Sequence, residues 1–278
     1  MTKKSPEIIE NNVTPLASEF EFDPSLLGEE FNAMRVPRLP YGIVINDNPC
    51  GIFIPEKNAI KAGWSNLEGM TEIDLASGAK EKGLFFPAAR IVILGNVAPY
   101  IRYKSADENG ELKLTVVGSY EFDRDLLDKK TMEVVSEHLV MFVDKSNNLL
   151  HTRPIRIRFK NVALWSLREA IEEFYLVMEM CFAKLTNTRA SGKNDKWRSL
   201  CVFDVEFKAV KEGEGSNRSW CMKVDKFSVP TLQNFGSLFL GTKQLKEAIW
   251  EAYDMNIGSL ETQALSAAPE QRMLRSAE

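Results

Sequence analysis

The sequence His151–Leu200 reads HTRPIRIRFK, then NVALWSLREAIEEFYLVMEMCFAKLTN, then TRASGKNDKWRSL, and its three parts differ in periodicity. In Ile155–Lys160 the side chains alternate without a break, so Ile155, Ile157 and Phe159 share one face of a strand. Arg156, Arg158 and Lys160 share the other, about 6.6 Å apart at the usual strand rise. That interval is close to the phosphate repeat of an extended single strand of nucleic acid. From Val162 to Leu185 the spacing changes to threes and fours. Leu164, Leu167, Ile171, Phe174, Tyr175, Met178, Cys181, Phe182 and Leu185 form the buried stripe of a long helix, with Glu169, Glu172, Glu173 and Glu179 mostly off it. The third part is a polar loop that ends on Lys193, Lys196, Trp197 and Arg198. A cationic loop beside an aromatic ring suits stacking on an unpaired base; Trp197 could equally be a core residue that opens the next strand.

Upstream, the residues read as many short strands. Tyr41–Ile45 and Gly51–Ile54 flank the turn signal Asn46-Asp47-Asn48-Pro49, and Glu56–Lys61 is a short helix that Gly63 can end. Thr71–Leu75, Leu84–Phe86, Arg90–Leu94, Pro99–Lys104, Glu111–Tyr120 and His138–Val143 are further strands, while Phe122–Ser136 has no clear type. Downstream, Leu200–Val210 and Ser219–Val229 make a hairpin whose apolar positions are odd in one strand and even in the other, which sets the parity of its register. A helix follows from Thr242 to about Met255. The fold class is α+β: an antiparallel β-rich barrel or sandwich, OB-like in one version, with one long packing helix and a C-terminal helix. Residues 1–35 read as a flexible arm in which Phe20, Phe22, Leu26, Leu27 and Phe31 could dock, residues 36–255 as one domain, and residues 256–278 as a flexible tail.

With 278 residues the chain is long enough for a sizeable core, and a net charge of −4 leaves nucleic-acid binding to local patches. No secretory leader and no apolar run of membrane-spanning length is evident, which points to a cytoplasmic protein. Cys50, Cys181, Cys201 and Cys221 form no CxxC pair, so no metal site is expected, and parity sets Cys201 and Cys221 on opposite faces. Gly236–Lys243 has phosphate-loop glycine spacing but ends Thr-Lys where Lys-Ser or Lys-Thr is required. His138 and His151 stand near no nucleophile signature and read as structural. No catalytic motif and no cofactor motif emerges.

Arg38-Leu39-Pro40, Cys50-Gly51-Ile52-Phe53-Ile54-Pro55, Lys61-Ala62-Gly63-Trp64 and Pro230-Thr231-Leu232 together resemble an uncharacterised protein family common in cyanobacteria, over about residues 36–241. The resemblance implies a cytoplasmic bacterial protein of the mobile-element or plasmid kind, and it carries over no functional residue.

The expectation is a non-catalytic protein that binds nucleic acid, single-stranded DNA or RNA, through Arg153, Arg156, Arg158 and Lys160, the loop residues Lys193, Lys196, Trp197 and Arg198, and an extension over Arg102 and Tyr103. Alanine at Trp197 or Arg158 should then weaken oligonucleotide binding. The alternative is a protein-interaction or assembly subunit whose termini contact a partner or a second copy. A third reading is an enzyme that holds a phosphorylated small molecule on its arginines.

Overall fold

A computed structural model describes residues 39–74, 78–104, 116–213, 215, 218–241 and 243–265. The arm at 1–35, the first half of the strand expected at Glu111–Tyr120, and the chain beyond Leu265 lie outside the described residues.

Among the described residues, eleven strands form one sheet. In chain order they are β1 (Tyr41–Ile45), β2 (Gly51–Pro55), β3 (Thr71–Asp74), β4 (Lys80–Phe86), β5 (Ala88–Asn96), β6 (Tyr100–Tyr103), β7 (Val116–Ser119), β8 (Met132–Phe142), β9 (Ile155–Lys160), β10 (Val202–Glu212) and β11 (Ser219–Phe227). Their order across the sheet is β11-β10-β5-β8-β9-β1-β2-β4-β3, with β6 added on β8 and β7 on β6. The helices are α1 (Glu56–Ala62), α2 (Asn161–Leu185), α3 (Asp195–Arg198) and α4 (Lys243–Leu265). The fold is thus α+β, dominated by an open, curled sheet that makes a half-barrel. An OB-like barrel finds no support in this strand order.

The curl is held at one end by side chains in place of a backbone ladder. On β11 the Met222 N–H donates to Asn46 Oδ1 at 2.9 Å, and the Val224 N–H donates to Ser166 Oγ at 2.9 Å. Two edge donors that would otherwise invite another strand are therefore satisfied from the turn after β1 and from α2.

Each face of the sheet has its own core. The inward residues Ile91, Ile93, Val140, Phe142, Ile155, Ile157, Phe159, Phe203 and Val205 pack against Leu164, Leu167, Phe174 and Met178 of α2. The opposite face carries Val92, Leu94, Leu139, Met141 and Val202 against Ile249 and Ala252 of α4. Where β5 and β8 are covered on both faces their apolar runs, Ile91–Leu94 and Leu139–Phe142, are continuous, whereas β9 and β10 alternate.

The Cys50–Pro55 and Lys61–Trp64 motifs have local causes. Every residue of β2 is buried. A Cβ on Gly51 would stand 2.4 Å from the Phe86 carbonyl oxygen, which reserves that position for glycine. Gly63, at φ 71°, ends α1 in the left-handed region and leaves Trp64 stacked on His151 at 4.7 Å.

The structure corrects four expectations from the sequence. The ambiguous segment Phe122–Ser136 supplies a 3-10 turn at Arg124–Leu126 and the first half of β8. The last helix runs to Leu265, past the expected stop near Met255. Leu185 is exposed, whereas Glu179 is buried. In the β10–β11 hairpin the expected parity holds at Phe207↔Val224 and Ala209↔Met222, but a bulge between Glu206 and Phe207 changes it. Phe227 thereby reaches the inner face, 5.5 Å from Phe203. No described helix is long and apolar enough to cross a membrane.

Candidate functional site

Strand β9 has the burial pattern its alternation dictates, with Ile155, Ile157 and Phe159 buried and the three cations facing outward. What the cations meet there is set by β8. The register pairs Glu137 with Arg158, Leu139 with Arg156 and Val135 with Lys160, and β6 pairs Arg102 with Glu133. Arg158 donates from Nε (2.9 Å) and Nη2 (2.5 Å) to Glu137 Oε1, while Arg156 Nη1 lies 3.4 Å from Oε2. Tyr100 adds its hydroxyl to Glu137 Oε1 at 3.1 Å. Further along the same face, Arg102 donates from Nε and Nη2 to Glu133 Oε1 at 2.9 and 2.5 Å, and Lys160 stands 3.3 Å from Oε2.

Four cations thus share two carboxylates that are almost wholly buried. Burial alone would raise the Glu137 pKa; Arg158 and Arg156 outweigh it and hold the carboxyl below its usual range. Burial works against Arg158 too, and Glu137 more than compensates. Tyr100 is pushed up to about 12 by burial and by the Glu137 charge. The carboxylates fix the guanidinium groups in place; among the described residues the cluster sets four cationic side chains against two carboxylates.

Beside this ladder lies a groove of about 810 Å³, lined by β1, Asn46, Asp47, Asp74, Arg102, Arg156, Arg158, Lys160 and Trp220. Tyr41 stands opposite Arg156 in the parallel β1–β9 register and is 46% exposed. Trp220, at the start of β11, is 37% exposed with Lys211 Nζ 4.7 Å above its ring. Asp47 and Asp74 line the groove as well, so its lining is of mixed charge.

The loop half of the expected surface lies elsewhere. Trp197 packs edge-on against Phe182 at 5.3 Å and tilted against Phe239 at 5.3 Å, and its Nε1 is buried without a partner among the described residues. Its core alternative is the one realised, because the α3 turn, capped by Asn194 Oδ1 on the Trp197 N–H, aims the ring inward. Lys193 lies over Phe182 at 5.4 Å, and Lys196 pairs with Asp254 at 2.7 Å. Arg198 pairs with the buried Glu179 at 3.0 Å and lies over Tyr175. None of these four lines the groove, and the same holds for Arg153, in an exposed turn, and Tyr103, at the end of β6. The structure therefore joins Arg156, Arg158, Lys160 and Arg102 and separates them from the loop.

Sequence reasoning missed Glu133, Glu137, Tyr41 and Trp220. A signal for the acids existed: once β8 starts at Met132, Glu133 and Glu137 alternate onto one face, in step with the β9 cations. Trp220 shares parity with buried Met222, which hid its exposed position at the strand's end. Among the described residues no group of His, Cys, Asp and Glu has metal-binding geometry.

No solved structure matches the chain. It is similar to "Uncharacterized protein 254L" of Invertebrate iridescent virus 6, at 21% identity over 170 residues, 60% of this chain and 50% of that protein. The chain therefore spans about half the length of that relative. Residues 36–272, which include the whole described sheet and the groove, match the domain of unknown function DUF5895, and the chain belongs to that family.

Proposed function

We propose that the groove beside β9 binds single-stranded nucleic acid without chemistry of its own. The observation that carries this reading is the set of four cations held on two buried carboxylates, with two exposed aromatic rings lining the same groove. Anchored guanidinium groups lose little freedom on meeting a phosphate, and exposed rings stack on any base. Tyr41 and Trp220 supply the rings; Trp197 has no part in it.

Fluorescence anisotropy with a labelled oligothymidine tests the reading. Trp220→Ala and Tyr41→Ala should each weaken binding by about 1–3 kcal/mol, the range for one stacked base. Trp197→Phe should leave it unchanged. Equal affinity in the wild type and the Tyr41→Ala/Trp220→Ala double variant, or no binding at low salt, would refute the proposal.

A further inference from the structure

One side chain of the groove has no place in a track that only meets phosphates. A carboxylate repels a polyanion unless the ligand brings a hydrogen-bond donor to it. Two carboxylates line the groove, Asp47 and Asp74. Asp74 has Lys80 directly across from it in the β3–β4 register. Asp47, exposed in the turn after β1, makes no ion pair among the described residues. Its Oδ1 accepts the Asn48 N–H at 2.8 Å, and Oδ2 has no hydrogen-bond partner among the described residues.

The residue before it carries an amide whose orientation is settled. Asn46 Oδ1 accepts the Met222 N–H at 2.9 Å, and because a backbone N–H only donates, the oxygen of the amide faces β11. Nδ2 is the end left over; it donates to nothing among the described residues, and Asn46 lines the groove. Two residues along β11 from that contact, the part-exposed Trp220 lines the groove too. One end of the groove thus presents an amide donor, a carboxylate and an aromatic ring. Tyr41 stands at the far end of β1, about 16 Å from Asn46 at the usual strand rise. Guanine alone among the bases has two adjacent donors, N1–H and the 2-amino group, on its pairing edge, with the acceptor O6 beside them. One carboxylate takes both donors, whereas adenine, cytosine, thymine and uracil bring it only one.

We propose that this end of the groove selects guanine: Asp47 accepts from N1–H and the 2-amino group, Asn46 Nδ2 donates to O6, and the base stacks on Trp220. The inference rests on the single-strand reading and adds to it the identity of one base.

Anisotropy titrations of the full chain with labelled oligothymidine octamers, each carrying one central substitution, test it. The dG octamer should bind about tenfold tighter than the all-dT octamer, the size of a hydrogen bond to a charged group. Inosine keeps O6 and N1–H but lacks the 2-amino group, so the dI octamer should lose at least about threefold of that gain. The dA octamer, which brings the other purine, should stay within about twofold of dT. Asp47→Asn changes an exposed turn residue and keeps an oxygen for the Asn48 N–H, so the fold is retained; the dG preference over dT should shrink to under about twofold. Equal binding of the dG and dA octamers would report purine stacking alone and overturn the assignment. It is overturned equally if dG binds no tighter than dT or dI, or if the dG preference survives Asp47→Asn. A dT octamer that in those cases still binds, and is still weakened by Trp220→Ala, leaves the groove reading standing, whereas no binding of any octamer at low salt sinks both.

Discussion

Glu137 is the residue on which the basic face depends. It is 3% exposed by side chain and holds two arginines and a tyrosine hydroxyl, so removing its charge leaves Arg158 poorly compensated in a partly desolvated site. Glu137→Gln should cost about 3–5 kcal/mol in urea denaturation, whereas Lys160→Ala, which leaves Arg102 on Glu133, should cost under about 1 kcal/mol. The histidines set a second dependence at this scale. Burial holds both His138 and His151 at about 4, below the ordinary 6.5. The unfolded chain then binds more protons than the folded one between those values. The stability from keeping the rings neutral is complete above about pH 6.5 and is lost as pH falls towards 4, by roughly 3 kcal/mol for each ring. Denaturation midpoints at pH 7 and pH 5 should therefore differ, and His151→Gln, an uncharged replacement, should reduce the difference.

At the scale of elements, the open end of the sheet rests on two side chains. Asn46 and Ser166 accept the N–H groups of Met222 and Val224 on the β11 edge. Replacing both with alanine should cost about 1–3 kcal/mol and expose those donors to solvent. Hydrogen exchange at the Met222 and Val224 amides should then accelerate, while the amides of β8, paired on both sides, keep their protection. Unchanged exchange at β11 would mean that the edge is protected by some other contact. Trp197 belongs to this scale as well. It wedges α3 between Phe182 of α2 and Phe239, so Trp197→Ala should destabilise the fold by about 3 kcal/mol, and any loss of oligonucleotide binding should track the unfolded fraction.

For the whole molecule, a net charge of −4 and a mixed groove lining limit how much electrostatics can contribute to binding. If all four cations of the ladder met phosphates, log affinity against log salt would fall with a slope no steeper than about −3, from roughly −0.7 per phosphate on a single strand. A much steeper slope would place the contact surface elsewhere. Local pattern made much of this architecture legible. Strict alternation at Ile155–Lys160, the three-and-four stripe of α2 and the Gly63 stop determine elements through backbone geometry alone, because each depends on residues within one or two turns or strand repeats of one another. The partners of those elements were not legible. Arg156, Arg158 and Lys160 look like a free cationic face until β8 brings Glu133 and Glu137 beside them, and Trp197 reads equally as a stacking ring or a core residue until α3 turns it onto Phe182. By itself the sequence determined which residues share a face of β9. Only the tertiary structure decided what each face meets, because charge neutralisation and burial are set by residues distant in the chain, here 21 positions between Glu137 and Arg158 and 31 between Arg102 and Glu133.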